Sequence, residues 1–171
     1  RKCPSLVVVS PHFEYYSYFS ERARDIYLRF TDLVEPFGID ECWLDVTGST
    51  LLFGNAEQIA NKIRNDIKRE LGLTISVGVS FNKVFAKLGS DLKKPDAVTI
   101  ITKENFKQKL WGLPISDLLF VGRNTAEKLN SIGIKTIGDI TLCDDLTLKK
   151  LLGKNGVDIK RYALGEDNTP V

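Results

Sequence analysis

Residues 37–47 read Phe37-Gly38-Ile39-Asp40-Glu41-Cys42-Trp43-Leu44-Asp45-Val46-Thr47, so two adjacent acids stand between two apolar runs. One continuous strand would send Asp40 and Glu41 to opposite faces of a sheet, where they could not share a ligand. Pro36 and Gly38 instead predict two antiparallel strands that meet at a tight turn, with both carboxylates near its tip. Because Mg²⁺ prefers oxygen ligands and usually takes only one or two carboxylates, the stretch predicts either a magnesium site or two solvated acids on a turn.

The spacing of apolar residues on both sides of this stretch predicts alternating strands and helices. The predicted elements are a buried strand at 5–9, a helix at 14–33, a helix from the Asn55 cap to Leu71, a strand at 73–79, a helix that begins at Ser80 or Asn82 and ends before Pro95, and a strand at 97–101. We take the tyrosine-rich stripe of the first helix as core rather than as a base-stacking surface. Strands separated by helices, with a hairpin inside, indicate an α+β fold with helices on one face of the sheet.

The composition indicates a globular protein of a reducing compartment. Of 171 residues, 43% are hydrophobic and 27% are charged, and a net charge of +2 confines any nucleic-acid surface to a local patch. Three widely spaced cysteines predict neither a disulfide framework nor a metal cluster. His12 is the single histidine, which argues against Ser-His-Asp or Cys-His catalysis. With no membrane-length apolar run and no signal peptide, we expect a cytoplasmic location and no membrane partner.

The stretch Gly-Ile-Asp-Glu-Cys-Trp-Leu-Asp closely resembles the Ser-Ile-Asp-Glu-Ala-Tyr-Leu-Asp signature of the Y-family, or translesion, DNA polymerases. The resemblance implies a palm domain in which Asp40 bridges two metal ions and Glu41 holds the catalytic one. It implies that Asp45 is structural. The departures, at Gly38 and at the Cys-Trp pair, fall outside the ligand positions.

A second resemblance covers residues 72–101, where the pairs Asn-Lys, Ala-Lys, Ser-Asp and Lys-Pro recur in the order that the Y-family has them. In that family the lysine before the proline reaches the phosphates of the incoming nucleotide, which implies this role for Lys94. A lysine fixed at a helix end can neutralise and orient a triphosphate. Lys83 and Lys87 lie on the same predicted helix and are weaker candidates for lining the site; an isolated lysine is otherwise a solvated surface residue.

Beyond residue 102 the chain reads as helices only, and the part from 113 to 140 resembles the helix-hairpin-helix of the Y-family thumb. Backbone N–H groups at such a hairpin and helix start can hold a DNA phosphate without reading the sequence. Phe120 stands where the family pattern has its first glycine, which puts the completeness of this phosphate site in question. The candidate DNA-binding residues are Val121, Gly122, Arg123, Thr125, Ala126 and Lys128. A plain helical hairpin is the alternative.

The resemblance implies a partial palm at 1–102, with a mixed or antiparallel sheet and helices on one face, and a small all-α thumb at 103–171. It implies primer extension on primer-template DNA from dNTPs, with two Mg²⁺ ions, in translesion synthesis and DNA repair. A DNA-binding module without catalysis, or a palm kept only as a structural domain, are the alternatives.

The chain has no methionine and starts with Arg1, so we expect it to be a piece of a longer protein. The family's amino-terminal strand, with a further metal-binding Asp, would lie outside it, and the piece alone would be inactive. A sliding-clamp partner is implied only through regions outside this sequence, and we expect a monomer.

Overall fold

The structure is a computed structural model, and it describes residues 3–171. Its helices are α1 (Phe13–Tyr27), α2 (Thr50–Phe53), α3 (Ala56–Leu71), α4 (Lys83–Leu92), α5 (Phe106–Leu110), α6 (Arg123–Ser131), α7 (Ile137–Leu142), α8 (Asp145–Leu152) and α9 (Lys154–Ala163). Its strands are β1 (Val34–Phe37), β2 (Glu41–Leu44), β3 (Val77–Val79) and β4 (Val98–Ile100). This confirms the predicted α+β class.

Helices α1 and α3 bury the first of two apolar cores found among residues 3–171. Its buried residues are Ile26, Phe30, Ile59, Ile63 and Ile67. The side chain of Asn55 accepts a hydrogen bond from the Gln58 amide, and the Gln58 side chain accepts one from the Asn55 amide, which caps α3 as predicted. Gly72 ends the helix in the left-handed conformation, with φ +65°.

The second core is formed by α4 and the helices that follow residue 102. Its fully buried side chains include Phe85, Leu110, Leu129, Ile140 and Leu148. The apolar packing is therefore continuous from α4 to α9 and passes through the predicted boundary at 102. Gly153 separates α8 from α9 and takes φ +68°. Within residues 3–171, none of the helices combines the length and the apolarity needed to cross a membrane.

The predicted single sheet is two separate two-stranded sheets in the described part of the chain. Strands β1 and β2 pair antiparallel, whereas β3 and β4 pair parallel. The predicted strands at 73–79 and 97–101 are reduced to three residues each. A single sheet would need hydrogen bonds between the strands of the two pairs. Instead, β2 and β3 both border one large cavity.

The prediction of a buried strand at 5–9 is wrong. These residues form no strand, and the side chains of Leu6, Val7, Val8 and Val9 are exposed. A strand needs a partner for its backbone groups, and within residues 3–171 none pairs with this run. The same lack of cover affects α1, because Tyr16 is exposed at its start whereas Ile26 is buried near its end. The tyrosine stripe is therefore core only in the second half of that helix.

Candidate active site

The predicted hairpin is confirmed by the pairing of β1 with β2. Phe37 faces Glu41 at the last paired position, and residues 38–40 form the turn between them. Gly38 takes φ +76°, a conformation that disfavours any residue with a Cβ. The hydroxyl of Ser20 on α1 donates a hydrogen bond to the carbonyl of Ile39 and so fixes the tip of the turn. Asp40 thus lies in the turn and Glu41 begins β2, rather than both lying on one regular strand.

The hairpin is held against the start of α4 by Lys83. The Lys83 ammonium contacts both carboxylate oxygens of Glu35, at 2.7 and 2.6 Å, and lies 4.8 Å from the centre of the Trp43 ring. The indole N–H of Trp43 in turn donates to the Lys83 carbonyl over 3.0 Å. Lys83 also donates to the carbonyl of Pro170, which brings the end of the described chain to the same place. Lys83 therefore joins the hairpin to α4 through Glu35 and Trp43.

One cavity of about 1330 Å³ unites the candidate residues of the first half of the chain. Asp40, Glu41, Lys83, Lys87 and Lys94 all line it. The residues predicted from sequence as metal ligands, phosphate ligand and weaker lysine candidates thus face a common space. It is bordered by α1, α3, α4 and both sheets.

A chain of alternating charges links the acids of the hairpin to the end of α4. Lys87 lies 3.1 Å from Glu41 and 2.6 Å from Asp91, and Lys94 lies 2.8 Å from the other oxygen of Asp91. Burial disfavours the charged form of Lys87, but the hydrogen bonds with Asp91 and Glu41 outweigh it and leave the lysine pKa raised. Burial likewise acts to raise the pKa of Asp91, and its two lysine partners nevertheless lower it. Asp91 was not singled out from sequence, although its spacing of four from Lys87 and three from Lys94 is the signal that would have identified it.

The segment that follows Lys94 is fixed by Asp96, a second residue that sequence reasoning missed. Asp96 takes φ +57° and accepts a hydrogen bond from Lys68 over 2.9 Å. Its carbonyl accepts another from Arg64 over 2.6 Å. Helix α3 thereby holds the backbone beside Lys94 through two cations, a long-range arrangement that no local pattern announces.

Asp40 and Asp45 have different surroundings. Asp40 is exposed at the tip of the turn, near Tyr27 of α1. Burial, together with Cys42 and the charge of Asp40, raises the pKa of Tyr27 to about 12. Asp45 accepts a hydrogen bond from the Thr47 amide over 2.9 Å, and the bonds from Thr47 lower the pKa of Asp45. Asp45 therefore stabilises the turn after β2.

The donor set fits a hard cation that brings its own further ligands. Asp40 and Glu41 supply carboxylate oxygens on one cavity, the donor type that Mg²⁺ prefers. No cluster of three or more His, Cys, Asp or Glu side chains that could hold a metal occurs within residues 3–171. An ion bound here would complete its shell with water and phosphate oxygens.

The predicted DNA-binding residues lie at the start of α6, after a turn that contains Phe120. Phe120 is exposed and takes φ +69°, the left-handed conformation that a glycine adopts without cost, and its ring packs on Tyr162 at 5.6 Å. Val121 and Ala126 are buried, and their amides bond to the carbonyls of Leu118 and Gly122.

The other predicted contacts at α6 are available to solvent to different degrees. Gly122, Arg123 and Lys128 are exposed, and Thr125 is half-buried. Gly122 carries no capping side chain, and a Cβ there would meet nothing within 4 Å. The first intrahelical bond of α6 runs from the Ala126 amide, so the amides before it point out of the helix end. At this helix start the backbone amides are available to a ligand, whereas the side chains of Val121 and Ala126 are buried.

Comparison with known proteins finds the same family for sequence and structure. The family model described as "impB/mucB/samB family" matches residues 1–91. DNA polymerase IV of Acetivibrio thermocellus is 58% identical over all 171 residues of the chain. The chain covers only 43% of that relative, and so spans less than half of its length.

Solved structures of Y-family polymerases have the same fold. A Y-family DNA polymerase chimera, Dbh-Dpo4(243-245)-Dbh, superposes with a TM-score of 0.88 at 31% identity, over 98% of this chain and 49% of that one. The insertion ternary complex of Dbh DNA polymerase superposes with a TM-score of 0.87 at 31% identity, over 98% of this chain and 49% of that one.

Proposed function

The chain belongs to the impB/mucB/samB family, the Y-family of DNA polymerases, and from this premise we propose that it is the palm and thumb part of an enzyme that extends a DNA primer from dNTPs. In the proposed reaction the primer 3′-hydroxyl attacks the α-phosphate of the nucleotide, and pyrophosphate leaves. The proposed setting is translesion synthesis and DNA repair, the roles implied by the family. Residues 1–102 would form the palm and residues 103–171 the thumb.

One observation carries this proposal: two carboxylates and a phosphate-binding candidate share a single cavity. Asp40 and Glu41 lie at the tip of the hairpin, and Lys94 lies at the end of α4, on the same cavity. A nucleotidyl transfer site needs anionic ligands for cations and a cation for the triphosphate within one substrate length. A DNA-binding module without catalysis would need only α6 and would not require Asp40, Glu41 and Lys94 to line the same cavity.

Asp40 and Glu41 would hold Mg²⁺ through their carboxylate oxygens. Two bound Mg²⁺ ions would activate the attacking hydroxyl and offset the charge of the leaving pyrophosphate. Lys94, which is exposed at the cavity mouth, would bind the triphosphate by exchanging its partner Asp91 for phosphate oxygens. The hairpin that carries Asp40 is held by Ser20 and Lys83, so the acids are oriented before any ligand arrives.

The cavity also supports the proposal that a further strand completes the palm. Strands β2 and β3 border the cavity, and within residues 3–171 they belong to separate sheets. The family resemblance implies an upstream strand with another metal-binding Asp, and this space would receive it. The exposed run at 5–9 and the exposed start of α1 agree with this, because both are apolar surfaces without cover.

Helix α6 would bind the DNA backbone. Its free amides face outward beside Gly122, and Lys128 adds positive charge nearby. Arg123 lies 2.8 Å from Glu127 and would bind phosphate by exchanging that partner. Such contacts position DNA without reading its sequence. Val121 and Ala126 would contribute only as core residues that support the turn.

The test is primer extension by the complete protein with Asp40→Ala, Glu41→Ala or Lys94→Ala. Loss of either acid should lower the rate by roughly 10²-fold or more, because stabilisation of transition-state charge is lost. Loss of Lys94 should cost about tenfold, since one phosphate contact is removed while the acids remain. Asp32→Ala is the matched control, an exposed acid outside the cavity lining. Extension by the Asp40 and Glu41 variants at the rate of the parent would mean that these acids are turn residues only.

A further inference from the structure

Glu41 is not a free carboxylate in this structure, because Lys87 already supplies a cation to it. The Lys87 ammonium lies 3.1 Å from one Glu41 oxygen and 2.6 Å from Asp91. We propose that Lys87 is a positioning residue. Its ammonium occupies the cation position at Glu41 before a metal ion binds, and it pairs with Asp91 alone once a divalent cation binds Glu41. The inference rests on the proposed function, in which Glu41 is a metal ligand.

The packing of α4 explains why Lys87 is confined to these two acids. Gly78 of β3 touches the backbone of α4, where a Cβ would lie only 1.8 Å from the Ala86 carbonyl oxygen. This close approach holds the neighbouring Lys87 against the cavity wall with its side chain only 16% exposed. A largely buried ammonium is costly without an anionic partner, so Lys87 needs Asp91 more when another cation binds Glu41.

Asp91 is placed to hold the Lys87 ammonium when Glu41 no longer binds it. It already binds Lys87 at the shorter of the two distances, and it lies one helical turn from Lys87 on the same face of α4. Its other oxygen binds Lys94 at 2.8 Å. When Lys87 depends on Asp91 alone, the attraction of Asp91 for Lys94 falls, and Lys94 becomes freer to bind phosphate. Metal at Glu41 and triphosphate at Lys94 would thus favour one another through this chain of charges.

Two opposite shifts in metal affinity follow. Lys87→Met removes a competitor for Glu41 and should tighten Mn²⁺ binding by roughly three- to tenfold. Asp91→Asn leaves Lys87 with Glu41 as its only anion and should weaken Mn²⁺ binding by roughly two- to fivefold. A plain structural ion pair would instead lower the melting temperature in both variants and leave the Mn²⁺ dissociation constant unchanged.

The experiment is Mn²⁺ titration of the complete protein, followed by the electron paramagnetic resonance signal of free Mn²⁺. The variants are Lys87→Met, Asp91→Asn, the double variant and Glu41→Gln. Lys94→Met is the matched control, because it removes the same charge from the same cavity without contact to Glu41. If Lys87 carries the effect, Asp91→Asn changes the affinity of the parent but not of the Lys87→Met variant.

Each outcome decides the matter. Tightening by Lys87→Met well beyond that by Lys94→Met, with the effect of Asp91→Asn absent from the double variant, supports the inference. Equal effects of the two lysine variants, or additive effects of Lys87 and Asp91, overturn it and leave the metal site intact. Mn²⁺ binding that Glu41→Gln leaves unchanged overturns the proposed metal site, and the inference with it. If Lys87→Met does not fold, Lys87→Gln replaces it in the single and the double variant, and the same comparison with Asp91→Asn decides.

Discussion

At the scale of single residues, Phe120 replaces a glycine of the family pattern. It adopts a backbone conformation that is unfavourable for a residue with a Cβ. A non-glycine residue with φ near +60° is less stable by about 1–2 kcal/mol than in its preferred conformations. The contact of its ring with Tyr162 stabilises the folded chain by about 0.5–1.5 kcal/mol. The turn before α6 therefore keeps a backbone shape suited to glycine while it adds an exposed aromatic ring beside the proposed DNA-binding helix start.

This balance predicts an inverted order of stability for two variants of Phe120. Phe120→Ala loses the ring contact and keeps the strain, whereas Phe120→Gly loses both. Phe120→Gly should therefore be more stable than Phe120→Ala by about 0.5–1 kcal/mol, even after the greater freedom of glycine in the unfolded chain is counted. Urea denaturation of the chain measures the difference.

Leu146 supplies the comparison, because it is an exposed residue within helix α8. There the ordinary order should hold, with alanine more stable than glycine by about 1 kcal/mol. Alanine more stable than glycine at position 120 as well would refute the strained conformation of Phe120.

At the scale of elements, strand β3 and helix α4 approach so closely that their backbones touch. A Cβ on Gly78 would lie 1.8 Å from the Ala86 carbonyl oxygen and 2.7 Å from the Ser90 amide nitrogen, both in the α4 backbone. Backbone atoms cannot move aside as a side chain can. This contact sets the position of α4 and of the lysines that it presents to the cavity.

Gly78→Ala should therefore destabilise the chain by about 3 kcal/mol or more, because α4 must shift away from β3. Gly112→Ala is the matched control, since a Cβ there meets nothing within 4 Å, and it should change stability by less than about 1 kcal/mol. Thermal unfolding by circular dichroism compares the two. Equal melting temperatures for both variants would contradict the close packing.

Sequence predicted those elements whose signals are local. The Asn55 cap, the helix end at Leu71 and the turn at Gly38 each depend on residues within a few positions, and each was correct. The strand at 5–9 failed because an apolar run becomes a strand only with a partner, which the local pattern cannot supply. The pairing of Lys87 with Glu41 joins residues far apart in sequence, so only the packed fold reveals it.

At the scale of the whole molecule, the two halves of the chain offer different kinds of site. The first half presents acids and lysines around one cavity, whereas the second presents a helix start with outward amides and exposed cations. A single apolar core runs from α4 to α9 and connects the two. The proposed nucleotide site and the proposed DNA-binding helix are thus linked through α4, which presents Lys87 to the cavity and also contributes to the core of the helices beyond residue 102.

The net charge of +2 means that DNA affinity must arise from a local patch, and the start of α6 is the patch that we propose. We expect the chain to bind duplex DNA weakly, with the same affinity for unrelated sequences and with affinity that falls as salt rises. Each phosphate contact made by a cation contributes about 0.9 to the slope of log affinity against log salt concentration.

Lys128→Ala should therefore reduce that slope by about 0.9 on every sequence tested. Lys62→Ala removes an equal charge from α3, away from α6, and should leave the slope unchanged; fluorescence anisotropy at several salt concentrations measures both. No binding at low salt would refute the α6 interface, and equal slopes for Lys128→Ala and the parent would place the phosphate contact elsewhere.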